Sequence, residues 1–141
     1  MSRILVDTNI LIYLFEDDSE FGNRSRQLFE NMNLRNDTVV VSSMSVGELL
    51  VKPKKDANNA VVAHYLEFFQ SGLVEVVDFN VSCSETFSDL RAQFAIKSPD
   101  AIQLSCAKEA KCDFMVTNDL RLSGIFLPGL PIVLSLGASP I

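Results

Sequence analysis

Short runs of apolar, mostly β-branched residues alternate along the chain with longer segments whose apolar residues recur at helical spacing. Runs of this length are typical of buried strands, and a spacing of three and four residues predicts helices with one apolar face. Consecutive strands that are separated by helices run parallel in one sheet. The alternation therefore predicts one α/β domain, residues 1–141, with a mainly parallel sheet covered by helices on both faces.

Residue types at the ends of these segments predict where the helices begin and end. A side-chain cap is expected at Ser42–Ser43, Asp56, Asn80 and Ser98, and Pro53 is expected to end the helix after the second strand. The predicted strands are residues 3–7, 38–41, 73–77, 114–117 and 132–134.

Composition places the chain among ordinary globular proteins, because 48% of the residues are hydrophobic and 21% are charged. Its cysteines, Cys83, Cys106 and Cys112, are odd in number and form no C-x-x-C pair, so we expect free buried thiols without disulfides or zinc. The apolar stretch 4–15 is too short and too interrupted for a membrane span or a signal peptide. The expected location is the cytoplasm.

The net charge of −6 is unusual for a protein that binds nucleic acid, because contacts with phosphates normally require basic residues. Net charge does not report how charges are distributed. Carboxylates that crowd a single metal site would account for much of the negative balance without covering a substrate groove.

Four acidic residues are predicted to meet at one edge of the sheet, where ligands bind in open parallel sheets. Asp7 ends the first strand and Asp119 lies two residues beyond the fourth. Glu48 and Asp100 reach the same edge if the helices that carry them fold back onto the sheet.

Clustered carboxylates are unfavourable unless protons or cations neutralise them. Oxygen ligands without cysteine or histidine favour Mg²⁺ or Mn²⁺ over Zn²⁺. A divalent ion held there can polarise a phosphodiester and stabilise the leaving oxygen. Polar groups that can support the acids or contact phosphate lie beside them in the sequence, at Thr8, Asn9, Thr117 and Asn118.

Each acid also has a structural alternative when it is considered alone. Ser45 and Glu48 have the spacing of a capping box, Asp100 can complement a helix dipole, and Asp119 can cap a turn. Asp7 is harder to explain structurally, because a carboxylate that ends a buried strand needs partners. The joint placement favours a metal site, and it does not identify the substrate.

Four segments in this order resemble the PIN-domain family, in particular toxin ribonucleases of VapC type. The resemblance covers nearly the whole chain. The segments are Leu5-Val6-Asp7-Thr8-Asn9-Ile10-Leu11-Ile12, Ser45-Val46-Gly47-Glu48-Leu49, Pro99-Asp100-Ala101-Ile102-Gln103-Leu104 and Cys112-Asp113-Phe114-Met115-Val116-Thr117-Asn118-Asp119.

The resemblance implies a three-layer α/β/α sandwich and an endoribonuclease that uses Mg²⁺ or Mn²⁺. It implies that Asp7 and Asp100 are the principal metal ligands, that Glu48 and Asp119 orient water or hold a second ion, and that Thr117 supplies a hydroxyl beside the site. It also implies an RNA substrate, a homodimer and a cognate antitoxin that can insert a basic side chain into the site. Residues 120–124 depart from the family pattern, which leaves the contacts at the rim of the site open.

Several alternatives remain open at this stage. The chain can be a metal- or RNA-binding module without turnover, a housekeeping ribonuclease without an antitoxin, a phosphatase or a DNA nuclease. Asp7-Thr8-Asn9 lacks the D-x-D pattern of aspartyl phosphatases, and no glycine-rich phosphate loop is present. His64, the only histidine, is expected on a surface or in packing, and Lys52, Lys54 and Lys55 can serve either RNA contact or a helix end.

Overall fold

A computed structural model describes residues 1–138 and 141 of the chain. Five parallel strands form one sheet in the order β3-β2-β1-β4-β5, so that the first strand lies in the middle. The strands are β1 (Arg3–Val6), β2 (Thr38–Ser42), β3 (Glu75–Val77), β4 (Phe114–Thr117) and β5 (Ile132–Ser135), and the helices are α1 (Thr8–Glu16), α2 (Glu20–Leu34), α3 (Ser43–Lys55), α4 (Asn59–Gln70), α5 (Val81–Gln93) and α6 (Ser98–Glu109).

The side chains of the central strands divide between two hydrophobic cores, one on each face of the sheet. Ile4 and Val6 pack with helices α1, α2 and α4, whereas Leu5 packs with α5 and α6. This division follows from the alternation of side chains along a strand. All three residues are essentially inaccessible to solvent, and the α/β/α arrangement predicted from the sequence is confirmed.

One predicted helix end is wrong. The structure continues α3 through Pro53 to Lys55, and Asp56 closes the helix by donating its backbone N–H to the carbonyl of Lys52. Proline removes one backbone hydrogen bond, but in the last turn this loss affects little of the helix, and the Pro53 side chain is buried. The proline therefore lies inside the helix that it was expected to end.

Two predicted caps are also wrong. Asn58, not Asp56, accepts the N–H of Val61 at the start of α4, and Lys97 precedes α6 without a side-chain cap, so that Ser98 is already helical. Two other caps are confirmed: Ser42 accepts the N–H of Ser45, and Asn80 accepts that of Cys83. Composition restricts a cap to a few polar positions, and the backbone geometry selects among them.

Three further observations concern composition. The cysteines are free and buried, as predicted. His64 is exposed on α4 beside the ring of Tyr65, outside the cleft described below. In the part of the chain that the structure describes, no helix is long and apolar enough to cross a membrane.

Candidate active site

The central feature of the site is Asp7, which lies between the end of β1 and the first turn of α1. Its Oδ1 accepts hydrogen bonds from the backbone N–H of Thr8 (2.8 Å) and from Nε2 of Gln103 (3.2 Å), and its Oδ2 accepts one from the Thr117 hydroxyl (2.7 Å). The side chain is only 8% exposed. Burial raises the pKa of Asp7, and the charges of nearby acids add to that effect, while the hydrogen bonds oppose it.

Glu48 enters the site from the second turn of α3. Its Oε1 accepts the Thr8 hydroxyl hydrogen at 2.8 Å, and the Thr8 and Ser45 hydroxyl oxygens lie 2.7 Å apart. Because the single proton of Thr8 is donated to Glu48, the Ser45 hydroxyl donates to Thr8. The N-cap of α3 is Ser42, so Ser45 and Glu48 do not form the capping box that was the structural alternative.

Asp100 lies in the first turn of α6 and is partly buried. Desolvation raises its pKa, and the negative charges of Asp7 and Asp119 raise it further, while Arg121 and Lys97 act in the opposite direction. The Asp100 carboxylate is therefore close enough to both acids to interact with them electrostatically. Its position near the helix N-terminus also remains compatible with a role in complementing the helix dipole.

Asp119 follows β4 and caps a short 3₁₀ turn, Leu120–Leu122, by accepting the N–H of Arg121. Its own N–H donates to the Thr117 hydroxyl oxygen at 3.0 Å, which connects it to Asp7 through one side chain. The guanidinium of Arg121 also binds the carboxylate and holds the pKa of Asp119 below its usual range. The turn-capping alternative for Asp119 is thus present in the structure alongside its position in the site.

The two asparagines predicted to support the acids have different surroundings. Asn118 donates to the Tyr13 hydroxyl at 3.1 Å and so connects the end of β4 to α1. Asn9 lines the cleft, and its buried Oδ1 has no hydrogen-bond partner among residues 1–138 and 141.

Three residues of this network were not predicted from the sequence. Gln103 is 1% exposed, and the two hydrogens of its Nε2 are shared among three acceptors, on Asp7, Thr8 (3.1 Å) and Ser45 (2.6 Å). Ser45 and Arg121 were likewise not predicted as parts of the site. A spacing signal was available for two of them, because Gln103 lies one turn after Asp100 and Ser45 one turn before Glu48.

The structure brings all four predicted acids to one open cleft of about 270 Å³. A larger surface cavity of about 410 Å³ between α2 and the C-terminal residues contains none of them. The residues that line the cleft are Asp7, Thr8, Asn9, Ile12, Met44, Glu48, Pro99, Asp100, Gln103 and Asp119.

The donor chemistry of the cleft fits a hard divalent cation. Its candidate ligands are carboxylate oxygens. Burial raises the pKa of Asp7 and of Asp100, and the neighbouring acids raise both pKa values further, so a bound cation would stabilise the ionised carboxylates. In the present rotamers, no three acidic, histidine or cysteine side chains within residues 1–138 and 141 are placed to hold one ion together. Thr8 engages Glu48, and Arg121 engages Asp119, so that ion binding by all four acids requires these contacts to change.

Comparison with known proteins supports the same fold. A sequence model of the PIN domain matches residues 4–125. The chain is similar to a structure described as VapBC2 from Rickettsia felis bound to a DNA fragment from their promoter, with 22% identity, a TM-score of 0.74, and coverage of 94% of this chain and 98% of that chain. A search of curated protein sequences gives no significant match.

Two other solved structures are similar. One is described as a toxin–antitoxin complex from Klebsiella pneumoniae, with 23% identity, a TM-score of 0.68, and coverage of 94% of this chain and 97% of that chain. The other is Mycobacterium tuberculosis VapC20, described as a toxin that cleaves the sarcin–ricin loop, with 14% identity, a TM-score of 0.69, and coverage of 87% and 96%. At these identities the structures establish a shared fold.

Proposed function

The chain belongs to the PIN-domain family, and on that premise we propose that it is an endoribonuclease that depends on Mg²⁺ or Mn²⁺. The observation that carries the proposal is the convergence of Asp7, Glu48, Asp100 and Asp119 on one cleft from four separate parts of the chain. Clustered like charges repel one another, and cation binding is a function that compensates a protein for keeping such an arrangement. Phosphodiester hydrolysis uses such an arrangement, because charge develops on phosphate oxygens in the transition state.

The proposed roles of the acids are those that the resemblance to the PIN-domain family implies. Asp7 and Asp100 are the principal metal ligands, and Glu48 and Asp119 orient the attacking water or hold a second ion. Thr117 fixes one oxygen of Asp7 through a 2.7 Å hydrogen bond. When bound, the ion would polarise the phosphodiester and stabilise the leaving oxygen.

Thr8 and Gln103 position the side chains around the site. Thr8 connects α1 to Glu48 on α3, and Gln103 connects α6 to both α1 and α3. Glu48 has to leave Thr8 if it is to bind an ion, but the bonds from Gln103 and Thr117 hold the Asp7 carboxylate in place before any ligand arrives. Preorganisation of this kind lowers the cost of assembling the charged groups around a reacting phosphate.

The descriptions of two similar structures, a toxin–antitoxin complex and a toxin that cleaves RNA of the sarcin–ricin loop, support a corresponding proposal for this chain. We propose that it is a single-domain toxin, residues 1–141, that acts in the cytoplasm as a homodimer and is neutralised by a cognate antitoxin. A housekeeping ribonuclease without an antitoxin is the alternative. A gene for a small protein with a basic segment next to the gene for this chain would favour the toxin.

The decisive experiment is a cleavage assay on a panel of structured and single-stranded RNAs, with single-stranded DNA of matching sequence as a further substrate. We expect RNA cleavage with Mg²⁺ or Mn²⁺ that a chelator abolishes. Asp7→Asn and Asp100→Asn should each abolish it, because each variant removes a proposed ligand. Asp89→Asn is the matched control, since Asp89 is exposed on α5 and borders a different depression of the surface.

Each alternative outcome has a definite meaning. Cleavage that persists in either ligand variant, or in the presence of the chelator, would show that the proposed site is wrong. Binding of RNA without turnover under any condition would favour the binding module. Preferential cleavage of DNA would replace RNA as the proposed substrate.

A further inference from the structure

At the rim of the cleft, Arg121 forms a bidentate ion pair with Asp119. Arg121 Nε lies 2.9 Å from Oδ1 and 3.1 Å from Oδ2 of Asp119, and Nη2 lies 2.6 Å from Oδ2. Both carboxylate oxygens are therefore engaged by one guanidinium. A cation that bound Asp119 through either oxygen would have to compete with this fork.

The exposure of this ion pair allows Arg121 to exchange Asp119 for another anion with little loss of stability. The Arg121 side chain is 69% exposed and that of Asp119 is 23% exposed. Exposed ion pairs of this kind contribute little to stability, because water and salt screen the two charges. A backbone hydrogen bond from the Arg121 N–H to Asp119 (3.0 Å) also holds the 3₁₀ turn, and with it the arginine, at the rim.

Positive charge on this side of the cleft comes from two residues. Lys97, which precedes α6, and Arg121 both act on Asp100 and on Asp119. Of these two basic residues, Arg121 alone forms hydrogen bonds with an acid of the cleft, within the described ranges 1–138 and 141. The acidic protein thus has two basic side chains next to the site proposed for phosphodiester hydrolysis.

We propose that Arg121 is a substrate-binding residue that alternates between two anions. In the free protein it binds Asp119; in the complex it binds an RNA phosphate beside the scissile bond and leaves Asp119 available to the metal site. The inference rests on the proposed function. Its chemical basis is that the planar guanidinium fork fits a phosphate as well as it fits a carboxylate.

The test compares Arg121→Ala and Arg121→Lys with Arg24→Ala. Arg24 is a matched control because it also forms an exposed ion pair, with Glu20 on α2, away from the cleft. Titration calorimetry measures Mn²⁺ binding without RNA. Fluorescence anisotropy measures binding of a short mixed-sequence 2′-O-methyl RNA over a range of salt concentrations, a probe that suits phosphate contacts because they carry no sequence information.

Arg121→Ala should strengthen Mn²⁺ binding and weaken RNA binding. Mn²⁺ should bind about two- to fivefold more tightly, which corresponds to an ion pair worth up to about 1 kcal/mol. RNA should bind more weakly, and the slope of log affinity against log salt should fall by about 0.7, the value for one phosphate contact to a single strand. Arg121→Lys should keep the slope but bind RNA less tightly than the wild type, because lysine retains the charge and loses the fork.

Unchanged or weaker Mn²⁺ binding by Arg121→Ala would show that Arg121 does not compete with the ion for Asp119. An unchanged salt slope would show that Arg121 does not contact a phosphate. Either result would overturn the proposal. The same changes in Arg24→Ala would show a general effect of charge and would also overturn the proposal. Neither measurement requires turnover. A wild-type protein that binds RNA and Mn²⁺ without cleaving therefore refutes the proposed activity, while the role of Arg121 is still decided by the variants.

Discussion

Replacing Asp7 by asparagine should stabilise the metal-free protein while removing its response to metal. Burial raises the pKa of Asp7 in the folded state. The folded protein then binds more protons than the unfolded chain, so stability falls as pH rises from about 4, where aspartate titrates in unfolded chains, through the raised folded pKa. At neutral pH the ionised carboxylate therefore destabilises the fold.

The surrounding hydrogen bonds indicate how large the gain can be. Asparagine can keep its oxygen towards the donors on Thr8 and Gln103 and place its Nδ2 near Thr117, whose hydroxyl can turn to accept. One bond reverses direction, and the Thr117 hydroxyl, which also accepts the Asp119 N–H, then needs a new acceptor for its own hydrogen, which limits the gain. We therefore expect a gain of about 1 kcal/mol at neutral pH. For a domain of this size, that gain raises Tm by roughly 4 °C.

The assay is thermal unfolding of the wild type, Asp7→Asn and Asp89→Asn from acidic to neutral pH, first with EDTA and then with Mn²⁺. The advantage of Asp7→Asn should disappear at low pH, where Asp7 is protonated in both states. With Mn²⁺ at about 100 times its Kd, the wild type and Asp89→Asn should gain about 2.7 kcal/mol, and Asp7→Asn should gain much less. An Asp7→Asn protein that is less stable than the wild type at neutral pH, or that gains as much from Mn²⁺, would refute the reasoning.

Two further predictions concern buried groups. Gln103→Leu should destabilise the protein by about 2 kcal/mol and weaken Mn²⁺ binding, because it removes an NH₂ group whose two hydrogens are donated to Asp7, Thr8 and Ser45. Ser105→Ala, a buried change on the same helix, should leave Mn²⁺ affinity unchanged. An equal loss of affinity in both variants would contradict a positioning role for Gln103. Burial raises the pKa of the Cys106 and Cys112 thiols to about 12. Alkylation followed by mass spectrometry should therefore show both thiols unmodified in the native protein at mildly basic pH and modified in urea. Rapid modification of the native protein would contradict their burial.

The strands could be predicted because a buried parallel strand has a simple sequence pattern. Residues 114–117 illustrate this, since all four are apolar or β-branched and the observed strand β4 has the predicted limits. The edge strand β3 is shorter than predicted, Glu75–Val77, and Glu75 and Val76 are exposed. An edge strand is buried on fewer sides, so its apolar pattern determines its length less strictly.

The site was only partly predictable, for the opposite reason. The backbone places Asp7 and Thr117 at strand ends, and strand ends can be inferred from local pattern. Gln103 and Ser45 contribute through contacts with residues far away in sequence, and their polar side chains are equally compatible with an exposed helix face. The bidentate contact between Arg121 and Asp119 depends on the rotamers of both side chains at a 3₁₀ turn, and composition does not determine those rotamers.

The position of β1 in the middle of the sheet has a consequence for how the site responds to fluctuations. Asp7 follows a strand that is hydrogen-bonded on both sides, so its backbone cannot move far without cooperative loss of the sheet. Its unfavourable charge is thus retained for as long as the protein is folded, and a proton or a cation is the means of relief. Asp119 belongs to a turn that a few local bonds hold, so it can exchange partners without disturbing the sheet. The cleft therefore combines a fixed carboxylate, Asp7, with a second carboxylate, Asp119, that can rearrange around an incoming ligand.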